Sequence, residues 1–204
     1  MLTVAPHIKG LIFDCDGTLA DTMTLHYLAW QETLQVFGLT FPEKLFYELA
    51  GVPSDKLVVA LNETLGYDLE PQAIAAAKER CFLNHLPQTQ PIEPVVELAK
   101  RYKGKLPMAV ATGGIPTVAG AVLQAIGLAD FFEAVVTAQD VTNGKPAPDI
   151  FLEAARRLAV EPAYCQVFED SPLGLAGAER AGMVATDIRP WANGAKSLKP
   201  AGQA

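Results

Sequence analysis

Between Ile8 and Phe13 the chain reads as a buried strand, and it stops at two aspartates, Asp14 and Asp16, followed by a Gly-Thr turn. A buried strand has no structural use for two carboxylates at its exit, because an unpaired ionised carboxylate is prohibitively expensive to bury. Residues two apart on an extended chain project to one side, and Gly17 allows the sharp turn that follows. Such a placement suits a site that holds a cation and a reacting group. A solvated Asp-Gly turn is the plain alternative, so the rest of the chain has to supply the other parts.

Apolar runs alternate with amphipathic segments. Strands are expected at Ile8–Phe13, Met108–Ala111, Ala134–Val136, Gln166–Phe168 and Val184–Asp187, with helices at Pro94–Tyr102, Pro116–Ile126, Pro148–Leu158 and Pro172–Ala181. Proline opens several of these helices, where its missing N–H does no harm. Alternation on this scale predicts βαβ units and a parallel sheet, whose ligands bind beyond the carboxyl ends of the strands.

From Asp21 to Leu86 the alternation fails and only helical patterning remains: a helix from about Leu25 to Phe37, then Leu45–Leu49, Asp55–Leu65 and Pro71–Leu83. An all-helical insertion just after the aspartate-bearing strand reads as a cap. The expected division is a discontinuous core of residues 1–20 and 87–204 and a cap of residues 21–86. The proline-bearing stretch Pro87–Pro94 forms the return linker, and the tail 190–204 is expected to be loosely held.

A 204-residue chain, half hydrophobic and 19% charged, suits a globular domain plus an insertion. The net charge of −7 disfavours a nucleic-acid partner. No apolar run approaches the ~18 residues of a membrane span, no signal pattern opens the chain, and nothing reports an oligomeric state. Cys15, Cys81 and Cys165 have no metal-ligand spacing, which fits a reduced, cytoplasmic protein.

Three further stretches carry chemistry. VFEDSPLG (Val167–Gly174) is a second apolar strand ending in acids, Glu169 and Asp170, with helix capping by Asp170 or Ser171 as the alternative. Acidic tips on two parallel strands repel one another unless a cation joins them, and all-oxygen donors favour magnesium. MAVATGG (Met108–Gly114) brings the Thr112 hydroxyl and the backbone of Gly113 to a helix entry, an anion site in outline. GKPAPDIF (Gly144–Phe151) places Lys145 before a proline-bounded helix. A lone lysine is usually a surface charge, but here it would supply positive charge beside the carboxylates.

In order and spacing these four stretches resemble the motifs of the haloacid dehalogenase (HAD) superfamily, over Leu11 to Asp187. The resemblance implies an α/β fold: a Rossmann-like core with a parallel sheet flanked by helices, plus a small all-helical cap after the first motif. It implies Asp14 as aspartyl-phosphate nucleophile, Asp16 as general acid/base, Thr112 and Gly113 as phosphoryl holders and Lys145 as charge balance. Mg²⁺ would be held by the Asp14 side chain, the Asp16 carbonyl oxygen and Asp170, with Glu169 direct or through water. The chain looks like the β-phosphoglucomutase-like and sugar-phosphatase branch, with Lys-Pro-Ala-Pro-Asp and Glu-Asp-Ser, and by that resemblance the Lys145–Pro146 peptide is expected to be cis.

Within the superfamily, Asp16, Glu169 and Asp170 argue against a dehalogenase, which lacks the second aspartate and needs no metal. A sugar mutase of this branch carries an arginine after Gly-Val-Ser in the cap, where this chain has Ser54, and a lysine after the second motif, where it reads Gly114-Ile115-Pro116. A Mg²⁺-dependent phosphatase of a small phosphorylated substrate is therefore favoured, with the mutase second. A non-catalytic binder would be expected to have lost one of the acids. Thr22 and His26 match positions that control the acid/base residue and its proximity to substrate, and Arg80 falls near a basic cap position. A surface or packing histidine and a solvated helix arginine are the plain alternatives.

Overall fold

A computed structural model describes residues 2–192. Its centre is a five-stranded parallel sheet of β1 (Gly10–Phe13), β2 (Met108–Ala111), β3 (Ala134–Val136), β4 (Cys165–Glu169) and β5 (Val184–Asp187), in the order β3-β2-β1-β4-β5. Leu11 of β1 sits opposite Met108 on one side and Gln166 on the other. The strand order reverses about β1, which makes the end of this strand the crevice where ligands of such sheets bind.

Side chains alternate along the strands and so build two cores. Leu11, Phe13, Met108 and Val110 join α5 (Glu93–Tyr102) and α6 (Pro116–Ala125) on one face. Ile12, Ala109 and Val167 join α7 (Asp149–Leu158) and α8 (Pro172–Arg180) on the other. Burial on both faces explains why the strands read as continuous apolar runs. The sheet, its flanking helices and their order are those expected of a Rossmann-like α/β chain.

Strand ends differ in two places. β1 begins at Gly10 rather than Ile8, because Ile8 N–H closes a turn onto the Ala5 carbonyl at 3.1 Å. β4 runs beyond its apolar stretch at both ends, to Cys165 and Glu169. It also buries Gln166, whose amide accepts from Ala5 N and donates to the Thr3 carbonyl and Thr186 Oγ1.

Four helices lie between β1 and α5: α1 (Met23–Gln35), α2 (Glu43–Glu48), α3 (Ser54–Leu65) and α4 (Pro71–His85). They pack around a cluster of their own that includes Trp30, Leu34, Phe41, Phe46, Leu61 and Ile74. The two chain passages joining them to the sheet run side by side, with Asp21 N–H on the Gln90 carbonyl at 2.8 Å and Ile92 N–H on the Leu19 carbonyl at 2.9 Å. A short helix α9 (Arg189–Ala192) closes the described chain. The expectation of a loose tail otherwise falls on residues 193–204, outside the described residues. Among the described residues no helix is long and apolar enough to cross a membrane.

Candidate active site

The end of β1 meets the end of β4 through a backbone bond from Asp14 N–H to the Phe168 carbonyl at 3.0 Å. That junction brings the two acidic tips together, and donor atoms of Asp14, Glu169 and Asp170 all lie within 4.8 Å of one another. Lys145, buried behind them, donates to Asp14 Oδ1 and to Glu169 Oε1, each at 2.6 Å. It is delivered by the loop before α7, and its peptide with Pro146 is cis. Burial opposes its charge, but Asp14 and Glu169 outweigh burial and keep it protonated.

Glu169 is fixed by two elements. Its Oε2 accepts from Ser171 N–H at 2.5 Å, and it lies against the first turn of α8, where a methyl group on Gly174 would fall 1.7 Å from Oε1. Ser171 is the residue that caps α8, through Gly174 N–H on its Oγ at 3.0 Å. Asp170 does not cap; its Oδ1 accepts from Thr18 Oγ1 at 2.9 Å. Burial first, and the Glu169 charge second, push the Asp170 carboxyl up to about 7. Burial likewise raises Asp14, with Glu169 and Asp170 adding to it against Lys145. Three carboxylates and one ammonium leave an excess of negative charge, and every donor is oxygen. A hard divalent cation fits that set; both oxygens of Glu169 are engaged by Lys145 and Ser171, while Asp14 and Asp170 are each held through one oxygen, Oδ1.

Asp16 faces the other way. Its Oδ1 accepts from Thr22 Oγ1 at 2.7 Å and from His26 Nε2 at 3.0 Å. The His26 ring stacks on Phe82, centroids 3.8 Å apart, and its Nδ1 lies 2.8 Å from Lys78 Nζ. The lysine can only donate, so Nδ1 accepts, Nε2 carries the proton, and the imidazole is neutral. Burial and the Lys78 charge lower the His26 pKa, consistent with that form. Burial raises the Asp16 carboxyl, while the His26 and Thr22 hydrogen bonds and the Lys78 charge lower it, and a positive charge on His26 would lower it further. Beyond Lys78 stand Glu79, 3.3 Å away, and Ser54, which donates to Glu79 at 2.5 Å.

These groups open onto one pocket between the sheet and the helical segment. Asp14, Asp16, Thr112, Gly113, Glu169 and Asp170 line it from below, and Trp30, Phe46, Ser54, Leu57, Lys78 and Glu79 from above. Thr112 Oγ1 accepts from Gly114 N–H at 3.0 Å and reaches 3.5 Å from Asp16 Oδ2. The two walls touch at Gly113, where an added methyl would meet the Gly51 carbonyl at 2.4 Å. The structure thus gathers Asp14, Asp16, His26, Thr112, Gly113, Glu169 and Asp170 on one pocket wall, with Thr22 bonded behind Asp16 and Lys145 behind Asp14 and Glu169. It does not gather Arg80, which is exposed and outside the pocket wall. The basic residue of α4 at the site is Lys78. Lys78 and Glu79 are not among the residues expected at the site, yet Ile74, Lys78 and Phe82 share a buried i, i+4, i+8 stripe, and Arg80 sits off it.

A doubly wound sheet with a carboxylate cluster at its reversal point and a helical roof defines a class, that of hydrolases built on this Rossmann-like scaffold. Residues 8–182 match the haloacid dehalogenase-like hydrolase family, and the chain belongs to it. The chain is 41% identical over 180 residues to the fructose-1-phosphate phosphatase YqaB of Escherichia coli, covering 88% of this chain and 96% of that one. It is 28% identical to the β-phosphoglucomutase of Bacillus subtilis, covering 89% and 83%. Among solved structures, CbbY from Rhodobacter sphaeroides in complex with phosphate superposes with a TM-score of 0.80 at 27% identity, covering 87% and 84%.

Proposed function

We propose that this hydrolase is a Mg²⁺-dependent phosphatase of a small sugar phosphate, working through a covalent phosphate on Asp14. The observation that carries the reading is the pair of opposed carboxylates. Asp14 lies on Lys145 beside the acidic cluster, and Asp16 is held by Thr22 and His26 on the pocket side. The similarity to the fructose-1-phosphate phosphatase supports the substrate class.

In the first step an Asp14 oxygen bonds to phosphorus as the bond to the sugar oxygen breaks, and Asp16 gives its proton to that oxygen. The depressed affinity of Asp16 for a proton belongs to the empty pocket; an incoming phosphate dianion raises it by like-charge repulsion. In the second step Asp16 takes a proton from water, which attacks phosphorus and returns Asp14 as a free carboxylate. Thr112 and Gly113 hold the phosphoryl oxygens, and Lys145 balances the charge on Asp14. Mg²⁺, when held by Asp14, Asp170 and the Asp16 carbonyl with Glu169 behind, supplies neutralisation of the phosphoryl charge. Helices α1–α4 act as the cap that excludes bulk water.

A mutase needs the cap to grip a second phosphate. Ser54 stands where its arginine would be and is bonded to Glu79, an acid, while the Lys78 charge is shared between Glu79 and His26. Among the described residues lining the pocket, that leaves no cation uncommitted in the cap. Phosphate release from a panel of sugar phosphates, fructose-1-phosphate and β-glucose-1-phosphate included, tests the reading with Mg²⁺ and with EDTA. Metal-dependent release supports it. Conversion of β-glucose-1-phosphate to glucose-6-phosphate without free phosphate would overturn it.

A further inference from the structure

One cluster outside the active site has the chemistry of a second, softer metal site. Glu32 of α1 faces Cys81 and His85 of α4, and one donor atom from each lies within 4.8 Å of the others. Cys81 Sγ sits 2.9 Å from Glu32 Oε2, and His85 Nε2 sits 3.1 Å from Glu32 Oε1. The cysteine and histidine are i, i+4 on one helix, so both side chains reach the same face. Glu32 is exposed and the other two half-buried, which leaves the cluster open to an entering ion. Cysteine spacing alone gives no sign of it, because its partners are a histidine and a glutamate.

We propose that Glu32, Cys81 and His85 bind a zinc-class divalent cation, with water as fourth ligand, and that the ion pins α1 to α4. The donor set of one thiolate, one imidazole and one carboxylate matches a borderline-soft ion and rejects magnesium, which takes oxygen only. Metal–sulfur and metal–nitrogen bonds of about 2.3 and 2.0 Å place such donors somewhat farther apart than hydrogen-bonding distance. Small side-chain rotations therefore admit the ion. Burial and Glu32 hold the free Cys81 thiol up to about 11, so it carries its proton until metal arrives. Binding breaks the S–H bond, forms the sulfur–metal bond and releases the proton to solvent. The Gln88 side-chain amide lies 3.4 Å from His85 Nδ1, and its oxygen, once turned inward, would accept the proton of that nitrogen and hold the ring. The clamp lies beside the active-site relay: Cys81 follows Lys78 by three residues, and Phe82 stacks on His26.

The test is a Co²⁺ titration of the full-length protein in excess Mg²⁺, which occupies the oxygen site. A thiolate-to-cobalt charge-transfer band is expected, displaced by Zn²⁺ and absent from Cys81→Ser. His85→Gln should bind Co²⁺ roughly tenfold or more weakly, since even outer-shell changes have effects of that size. Zn²⁺ should raise the melting temperature of the parent protein and not that of Cys81→Ser. No band, a band that survives in Cys81→Ser, or equal stabilisation of both proteins would overturn the proposal. Because the readouts are spectroscopic and thermal, failure here leaves the phosphatase reading untouched, and failure of that reading leaves this site intact.

Discussion

Lys78 donates to His26 Nδ1 at 2.8 Å, a bond between α4 and α1 that fixes which nitrogen of His26 faces Asp16. The proton on Nε2 is thereby directed at the Asp16 carboxylate, so a lysine in the cap sets the orientation of a group at the end of β1. Replacing Lys78 with Met removes the charge and keeps much of the stem. We expect kcat to fall about 10–100-fold, since misplacement of a reacting group has effects of that order. Circular dichroism should be unchanged, and Arg80→Met, on the exposed side of the same helix, should leave kcat within about twofold, the usual outcome for surface sites.

His26 gives the acid side of the pH profile a sign. Its pKa is lowered from the ordinary value, so the neutral imidazole present at pH 7 persists into mildly acid solution. Below that pKa the ring gains a proton on Nδ1, the Lys78 bond is lost, and two positive charges face each other. Activity should therefore drop at low pH, and His26→Gln, which cannot titrate, should have lower kcat and lose that part of the acid limb. A pH–kcat series on both proteins checks this.

The acidic cluster makes stability depend on metal and pH together. Asp170 is pushed up to about 7, above its ordinary value near 3.8. A group raised on folding adds stability that is full below its unfolded pKa and is lost as pH rises through the folded one. Without metal the protein should lose stability between about pH 4 and pH 7 from this group. A bound cation reverses the trend by favouring the ionised carboxylates. The gap in melting temperature between Mg²⁺ and EDTA should widen from pH 5 to pH 8, reaching roughly 5–10 °C at a Mg²⁺ concentration about 100 times its dissociation constant. A gap that stays constant or narrows would contradict this balance of charges.

Gly113 marks where the cap meets the core. A methyl there would fall 2.4 Å from the Gly51 carbonyl, a backbone atom that cannot swing aside. Gly113→Ala should hold the two walls apart and lower kcat/KM about 10-fold or more, with little change in melting temperature. Gly120→Ala, in open space on α6, serves as the control. Steady-state kinetics of the two variants separate a local effect from a global one.

Much of the fold was legible because the chain's periodicities are clean. The central strands β1 and β2 are apolar on both faces, which gives the uninterrupted runs GLIF and MAVA, and proline or a capping serine announces several helix starts. What escaped depends on tertiary partners. Ile8 leaves the sheet because a turn takes its N–H, and β4 extends to Cys165 and Glu169 beyond the expected Gln166–Phe168. The same holds at the site. Asp14, Asp16, Glu169 and Asp170 stand out because carboxylates at strand ends violate burial. Lys78 and Glu79 look like an ordinary charged pair in a helix, and only the place of Lys78 on the stripe from Ile74 to Phe82 betrays it. Arg80 was the more obvious cation by position along the chain, but the helical period turns it to solvent.

In the proposed reaction phosphate passes through Asp14. Rapid mixing with a sugar phosphate, quenching, and reduction with borohydride convert an aspartyl phosphate to homoserine, which peptide mass spectrometry locates. Homoserine is expected at residue 14, dependent on substrate, and absent from Asp14→Asn, whose turnover should fall by about three orders of magnitude or more. Turnover that persists in Asp14→Asn, or homoserine at any other aspartate, would contradict it.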